Sequence, residues 1–185
     1  METGNANYLS PDAISGGNLE SAIALEPVLS RVRALLSRSW SPDTAYPESF
    51  IESRWFAGNP QGQCGVSSVW LAELLAREYS IYSTFCQGSL IFDDENAQDL
   101  SDHCWLEINA SRGNPLVVDL TCDQARGFDR QIVFDAKAKL ESDGVHYIST
   151  ERVDTTDLSG NPVWPRYTRL LFNMVAGIQP PYLGG

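Results

Sequence analysis

Between residues 64 and 121 the spacing of the apolar residues changes once, from that of a helix to that of β-strands. No other feature of the sequence limits the possible folds as strongly. From Cys64 to about Tyr79 the apolar side chains return with the spacing of an amphipathic helix. Three segments rich in β-branched and aromatic residues follow the helix, at 81–92, 103–108 and 116–121. A helix followed by consecutive strands predicts an α+β fold.

The remaining segments are less regular. A helical period extends from Leu19 to Ser39, and Pro27 within it predicts either a helix start near this proline or a kink. Three further segments have no clear period: 40–63 is expected to be an ordered loop, 130–141 a helix or a mixed segment, and 166–176 a short helix or strand. Residues 1–18 are polar and predict a flexible N-terminal arm, so residues 19–185 are expected to form a single domain.

The acidic charge balance argues against two classes of partner. The chain carries 13 Lys+Arg against 24 Asp+Glu, and its net charge of -11 repels phosphate backbones and anionic lipids. We therefore expect no nucleic-acid binding and no membrane binding. The first residues show no basic region before an apolar stretch, and no run approaches the roughly 18 apolar residues of a membrane span, which predicts a cytoplasmic protein.

The cysteines predict neither a disulfide framework nor a metal site. In a cytoplasm we expect reduced thiols, and the wide spacing of the cysteines contains no Cys-x-x-Cys pair of a zinc site. The acidic run from Asp93 to Asp102 lacks the ligand spacing of an EF-hand loop. We therefore expect no metal and no cofactor. Three cysteines are expected in or near the core: Cys86, Cys104 and Cys122.

Cys64 has the sequence setting of a reactive thiol. A thiolate is favoured at a helix N-terminus, and Cys64 lies where a loop gives way to the predicted helix. Gly62 and Gly65 flank it and allow a substrate backbone to approach the sulfur. The backbone N–H of Cys64 would face an attacked carbonyl oxygen, as an oxyanion donor must. The plainer interpretation is a buried, inert cysteine that begins a helix.

His103 and Asp119 are placed to serve this thiol. An imidazole titrates near pH 6.5, so His103 can act as a base and then as an acid near neutrality. Asp119 interrupts an otherwise apolar strand, where a carboxylate costs several kcal/mol unless it is paired. The short chain between the two residues allows an antiparallel hairpin, so we expect their side chains to be neighbours. Alternation predicts two strand faces: His103, Trp105 and Glu107 on one, and Cys104, Leu106 and Ile108 on the other.

Each of these residues also has a plainer interpretation when taken alone. His103 can be a strand-end histidine bonded to solvent or backbone, and Asp119 can cap the turn after its strand. His146 follows a predicted turn and is expected at the surface. A cysteine at a helix start, a histidine at a strand start and an acid on the next strand together predict a catalytic triad.

Three short blocks carry a resemblance to a known family. They are Gly62-Gln63-Cys64-Gly65-Val66, His103-Cys104-Trp105-Leu106-Glu107 and Val118-Asp119-Leu120-Thr121. In order, spacing and residue type they resemble the signature of the transglutaminase-like superfamily of papain-like cysteine enzymes. That signature has Gly-Gln-Cys at a helix start, His-x-Trp-x-Glu on a strand and Asp-x-Thr on the next strand.

The resemblance implies a papain-like core in which the cysteine-bearing helix packs against an antiparallel sheet. It implies that Cys64 is the nucleophile, that His103 is the general base and acid, and that Asp119 orients the histidine. In the family a second oxyanion donor usually comes from upstream, and the side chains considered for the oxyanion hole and the cleft are Trp55, Gln61, Gln63 and Trp105. Two positions depart from the family: Gly65 stands where cross-linking members often have Trp, and Leu120 stands where Pro commonly follows the Asp.

The implied reaction is acyl transfer from an amide or thioester carbonyl through a thioester on Cys64. With water as the second nucleophile the protein is a peptidase, amidase or glutamine deamidase, which is the leading hypothesis. With an amine it is an acyltransferase or amide synthase of small-molecule biosynthesis. The expected partners are a peptide, a protein glutamine or a small amide or thioester, and an acyl-carrier protein is a further candidate. A catalytically inactive binding module is the remaining hypothesis, against which the intact triad argues.

Overall fold

The computed structural model describes residues 19–46, 56–110 and 113–177. The helices are α1 (Leu19–Ser39), α2 (Cys64–Tyr79), α3 (Lys137–Ser142) and α4 (Trp164–Ala176). The strands are β1 (Ser83–Phe92), β2 (Leu100–Ile108), β3 (Leu116–Asp119), β4 (Val133–Ala136) and β5 (Val145–Asp154). This element order confirms the α+β class. The arm expected at residues 1–18 lies outside the described residues.

The strands form one antiparallel sheet in the order β4-β3-β2-β1-β5. β1 and β2 pair along most of their length, with Gly88 opposite His103. β3 pairs with β2 only from Leu106 to Ile108. His103 therefore lies on a stretch of β2 that pairs with β1 on one side and extends beyond the end of β3 on the other side.

Apolar side chains cover both faces of the sheet. On one face Cys104, Leu106 and Ile108 of β2 pack with side chains of α1, α2 and α4. On the other face Trp105 packs with apolar side chains of β1, β3, β4 and β5 and with Leu140 of α3. The alternation predicted for β2 is confirmed. Each large apolar side chain buried here contributes roughly 1.5–3 kcal/mol to folding, so both layers hold the sheet in place.

Glu107, the last residue of the histidine block, is an exception on this second face. Its carboxylate is fully buried and lies 3.0 Å from Nζ of Lys137 and 2.7 Å from a guanidinium nitrogen of Arg152. These ion pairs connect β2 with α3 and β5. Because a buried carboxylate needs such partners, Glu107 serves the fold.

Three boundaries differ from the sequence-based expectations or resolve them. α1 begins at Leu19 and continues through Pro27, so the prediction of a helix start near this proline is wrong. Pro27 cannot donate a backbone hydrogen bond. The burial of Leu25 and Leu29, on either side of it, offsets this loss. The segment 130–141 is mixed, since strand β4 leads directly into α3, and 166–176 is helical. Among the described helices, none is long and apolar enough to cross a membrane.

Candidate active site

Cys64 is the first residue of α2, and the turn before it explains how it is presented. Gly62 adopts a left-handed backbone with φ of 72°, and a Cβ there would lie 2.8 Å from the backbone nitrogen of Tyr46. Only glycine fits both conditions. Cys64 is 7% exposed. Its backbone N–H belongs to the first helical turn, where the helix offers no acceptor, so this group is available to an oxyanion.

His103 and Asp119 meet as the predicted hairpin requires. Nε2 of His103 lies 2.6 Å from Oδ2 of Asp119, and both side chains are buried. The hydroxyl of Tyr147 donates to the same Oδ2 at 3.0 Å. The backbone N–H and hydroxyl of Thr121 donate to Oδ1 at 2.8 Å and 3.1 Å. These hydrogen bonds offset the free-energy penalty of burying the carboxylate, and they fix its orientation.

The thiol of Cys64 lies in contact with the side chains of Cys104 and His103. The hydrogen bond from Cys104 lowers the pKa of Cys64 well below its ordinary value, and the neighbouring imidazole adds to this effect against the opposing effect of burial. Since Nε2 of His103 bonds to Asp119, Nδ1 is the ring nitrogen left for Cys64. Cys64 and His103 line the same cavity, so the sulfur, the imidazole and the carboxylate follow one another in the order of a catalytic triad.

Two further pKa directions describe the charge state of this site. Burial disfavours an imidazolium, but the charge of Asp119 and its hydrogen bond outweigh burial and raise the pKa of His103 to about 10. Burial also opposes ionisation of Asp119, yet the imidazolium keeps the pKa of this carboxyl below its ordinary value. Near neutral pH the favoured state is therefore a thiolate beside an imidazolium, held by a carboxylate.

The cysteines on the opposite face of the sheet have inert surroundings. Burial raises the pKa of Cys86 to about 12. Burial also raises the pKa of Cys122 well above its ordinary value, with the negative charge of Asp119 adding to the effect. Both side chains are fully buried among apolar neighbours, as expected for core residues. They provide internal references for the reactivity of Cys64.

Two cavities meet at Cys64. The smaller has a volume of about 180 Å³, and its lining includes Tyr46, Gly65, Phe85, Cys104, Val163 and Arg166. The larger has a volume of about 290 Å³, and its lining includes Tyr46, Gln61, Asp99, Asp102, His103 and Gln124. Cys64 therefore lies at the boundary between the two cavities.

The side chains nominated for the oxyanion hole and the cleft have different surroundings. Gln61 lines the larger cavity, but its amide donates to the Gln124 carbonyl at 3.0 Å. Gln63 is fully buried, and its amide donates to the Ser41 carbonyl at 3.1 Å, which ties the preceding turn to the helix start. Trp105 is fully buried, stacks on His103 with ring centroids 6.4 Å apart, and lines neither cavity. Trp55 lies outside the described residues.

Sequence reasoning missed Gln124 and the contact that Tyr147 makes. Gln124 lines the larger cavity, its Oε1 accepts from the N–H of Gly62 at 2.9 Å, and its Nε2 has no hydrogen-bond partner among the described residues. Gln124 lies shortly after the Asp119 block in the sequence, but no local pattern predicts that its side chain contacts the loop before Cys64. For Tyr147, the apolar alternation of β5 indicates burial without indicating a partner.

One comparison with known proteins gives a match. A family model described as YunG protein matches residues 28–154. The matched stretch contains Cys64, His103, Asp119 and Tyr147. No curated protein and no solved structure matches the chain. Within the described part of the chain, no group of three or more His, Cys, Asp or Glu side chains is arranged to hold a metal ion.

Proposed function

This chain belongs to the YunG protein family, and we propose that it is a transglutaminase-like cysteine enzyme with a papain-like core. It transfers an acyl group from an amide or thioester carbonyl to a second nucleophile through a thioester on Cys64. The observation that carries this proposal is the placement of Cys64 and His103 at one cavity, with His103 2.6 Å from the carboxylate of Asp119. The packing of α2 against an antiparallel sheet supports the papain-like core.

The first half of the reaction follows from the charge state of the site. The Cys64 thiolate attacks the carbonyl carbon, and the carbonyl oxygen takes the negative charge. The N–H of Cys64 and the unpartnered amide of Gln124 are the donors proposed for this oxyanion. When the intermediate collapses, the carbon–nitrogen bond breaks and the His103 imidazolium gives its proton to the leaving amine.

The second half returns the enzyme to its starting state. Neutral His103 takes a proton from water, which attacks the thioester carbon. The carbon–sulfur bond then breaks, and the acid product leaves a thiolate beside an imidazolium. Asp119 keeps the same imidazole nitrogen occupied throughout, so the other nitrogen carries both proton transfers.

Different parts of the substrate occupy the two cavities. His103 lines the larger cavity, so the leaving amine and the incoming nucleophile are proposed to occupy that side. The acyl group then lies in the smaller cavity, against Phe85 and Val163. Hydrolysis is the proposed main outcome, on a peptide, a protein glutamine or a small amide.

A second candidate is transfer of the acyl group to an amine. Asp99 lines the larger cavity and Asp102 lines both cavities, and their negative charge attracts a protonated amine to the site. This candidate uses the same thioester and differs only in the acceptor. An acyl-carrier thioester would serve as a donor for either reaction.

The test is acylation of Cys64 by p-nitrophenyl acetate, measured by release of p-nitrophenolate and by peptide mapping of the acetyl group. We expect the acetyl group on Cys64 in the parent protein and in the control Cys86→Ala, and its loss in Cys64→Ala. We expect His103→Ala to acetylate much more slowly. Added cadaverine distinguishes the two candidates, because acetylcadaverine forms only if an amine accepts the acyl group. Equal acetylation of all four cysteines, unaffected by His103→Ala, would refute the enzyme and favour a binding module.

A further inference from the structure

Cys104 places a second thiol beside the nucleophile, and the proposed acyl transfer forms and breaks no bond to it. Cys64 and Cys104 both line the smaller cavity, and the two thiols are close enough for each to shift the pKa of the other, that of Cys64 down and that of Cys104 up. A Cβ at Gly65, the residue after Cys64, would lie 2.9 Å from Cγ2 of Val163 and 3.9 Å from Sγ of Cys104, so this sulfur lies against the first turn of α2. Each of the two cysteines is 7% exposed. Two neighbouring thiols at a cavity can be joined as a disulfide when an oxidant takes up two electrons.

We propose that Cys64 and Cys104 form a peroxide-reactive dithiol, which closes to a reversible disulfide. The first turn of α2 carries one sulfur and β2 carries the other, and these elements pack directly against each other. Cys86 and Cys122 belong to the cluster on the opposite face of the sheet. The sheet therefore separates them from this pair.

The oxidation proceeds in two balanced steps with a hydroperoxide as the oxidant. The sulfur of Cys64 attacks one peroxide oxygen, the oxygen–oxygen bond breaks, and the leaving alcohol or water takes a proton from the His103 imidazolium. Cys64 is oxidised to a sulfenic acid while the peroxide is reduced. The sulfur of Cys104 then attacks that of Cys64, the sulfur–oxygen bond breaks, and water leaves with the Cys104 proton.

The disulfide protects the nucleophile from irreversible oxidation. A sulfenic acid without a neighbouring thiol can be oxidised further to a sulfinic acid, which ordinary thiols do not reduce. A disulfide is reduced by dithiothreitol through thiol exchange. This inference rests on the contact between two sulfurs and does not require acyl transfer.

The test is peptide mapping without reduction after exposure of the protein to hydrogen peroxide, with remaining thiols labelled by iodoacetamide. In the parent and in Cys86→Ala we expect a linked Cys64–Cys104 peptide pair and loss of label at both residues, restored by dithiothreitol. In Cys104→Ser we expect sulfinic acid on Cys64 and no restoration. Circular dichroism of each variant before oxidation checks the fold, and Cys104→Ala replaces the serine variant if that variant fails to fold.

Either of two results for the parent protein overturns the inference. One is sulfinic acid on Cys64 while Cys104 remains free to take the label. The other is full labelling of both cysteines after peroxide treatment. The acetylation test uses the reduced protein, so the two proposals can fail separately: a linked pair without acetylation refutes only the enzyme, and acetylation without a linked pair refutes only the dithiol.

Discussion

At the scale of single residues, Asp119 receives more hydrogen bonds than the cap of a turn requires. Both groups from Thr121 reach Oδ1, whereas His103 and Tyr147 both reach Oδ2. The Thr121 contacts alone would satisfy a capping residue. The contact from Tyr147 comes from β5, beyond β1 and β2 in the sheet, and its ring lies edge-on to Trp105 with centroids 5.1 Å apart. The hydrogen bond from Tyr147 therefore fixes the same carboxylate oxygen that bonds to the imidazole of His103.

Tyr147→Phe tests whether this hydroxyl positions the carboxylate. The change removes one donor to the charged Oδ2 and keeps the ring, so it should cost about 1.5–3 kcal/mol of unfolding free energy in urea titration. Because the hydroxyl favours the ionised carboxyl, the pKa of Asp119 should rise, and the acid limb of the acetylation rate should move to higher pH. A loss of stability with an unchanged pH profile would assign Tyr147 to packing alone.

Asp119→Ala should lower the acetylation rate less completely than Cys64→Ala. Without the carboxylate the imidazole loses its orientation, but the thiol remains, so the rate should fall by roughly 10²–10⁴, the range that a positioned acid–base group contributes. Cys64→Ala removes the attacking atom and should abolish acetylation. Initial rates of p-nitrophenolate release measure both. Equal rates in Asp119→Ala and the parent would contradict the assignment of Asp119.

At the scale of elements, α1 secures the segment that follows Asp119. The Arg33 guanidinium bonds to the Asp123 carboxylate at 2.6 Å and 3.1 Å and to the Leu120 carbonyl. The same group lies 4.5 Å from the ring centroid of Trp40, whose Nε1 donates to the Ser67 hydroxyl of α2 at 3.1 Å. One arginine therefore connects the aspartate-bearing loop with the cysteine-bearing helix.

Arg33→Lys should weaken this connection. A lysine keeps the charge but loses the paired donors and the flat face that meets Trp40, and charge-assisted hydrogen bonds contribute about 1.5–3 kcal/mol. Urea unfolding should therefore show a loss of this order. The matched control is Arg31→Lys, because Arg31 is exposed on the same helix. Equal stability of the two variants would contradict the proposed connection.

Gly88→Ala should disturb the pairing of β1 with β5. The register of these strands shifts between Gln87 and Gly88, and a Cβ at Gly88 would lie 2.0 Å from the Ile148 carbonyl oxygen. Backbone must move to admit it, at a cost of about 1–3 kcal/mol. Gly160→Ala is the control, since no atom lies within 4 Å of a Cβ there. Thermal unfolding should separate the two, and no difference between them would contradict the close approach of the strands.

In the molecule as a whole, the sequence predicts those structural features that depend on residues close together in the chain. The helix from Cys64, the strand alternation around His103 and the pairing of His103 with Asp119 all arise within short stretches, and each is found. The reach of Tyr147, the burial of Gln63 against Ser41 and the passage of α1 through Pro27 depend on which elements pack together. Periodicity carries no information about such long-range contacts, which is why these features were missed or misjudged.

The pH dependence of iodoacetamide alkylation, mapped to each cysteine in the parent and in His103→Ala, directly tests whether Cys64 and His103 form a thiolate–imidazolium pair. Because the pKa of Cys64 is lowered, its alkylation should already be fast well below the ordinary thiol pKa of about 8.5, and should slow only in more acidic solution. In His103→Ala the profile should move towards higher pH. Cys86 and Cys122 should stay slow throughout, because burial raises the pKa of both. Alkylation of Cys64 no faster than that of these two residues near pH 7 would contradict the thiolate–imidazolium pair and the proposed acyl transfer through Cys64.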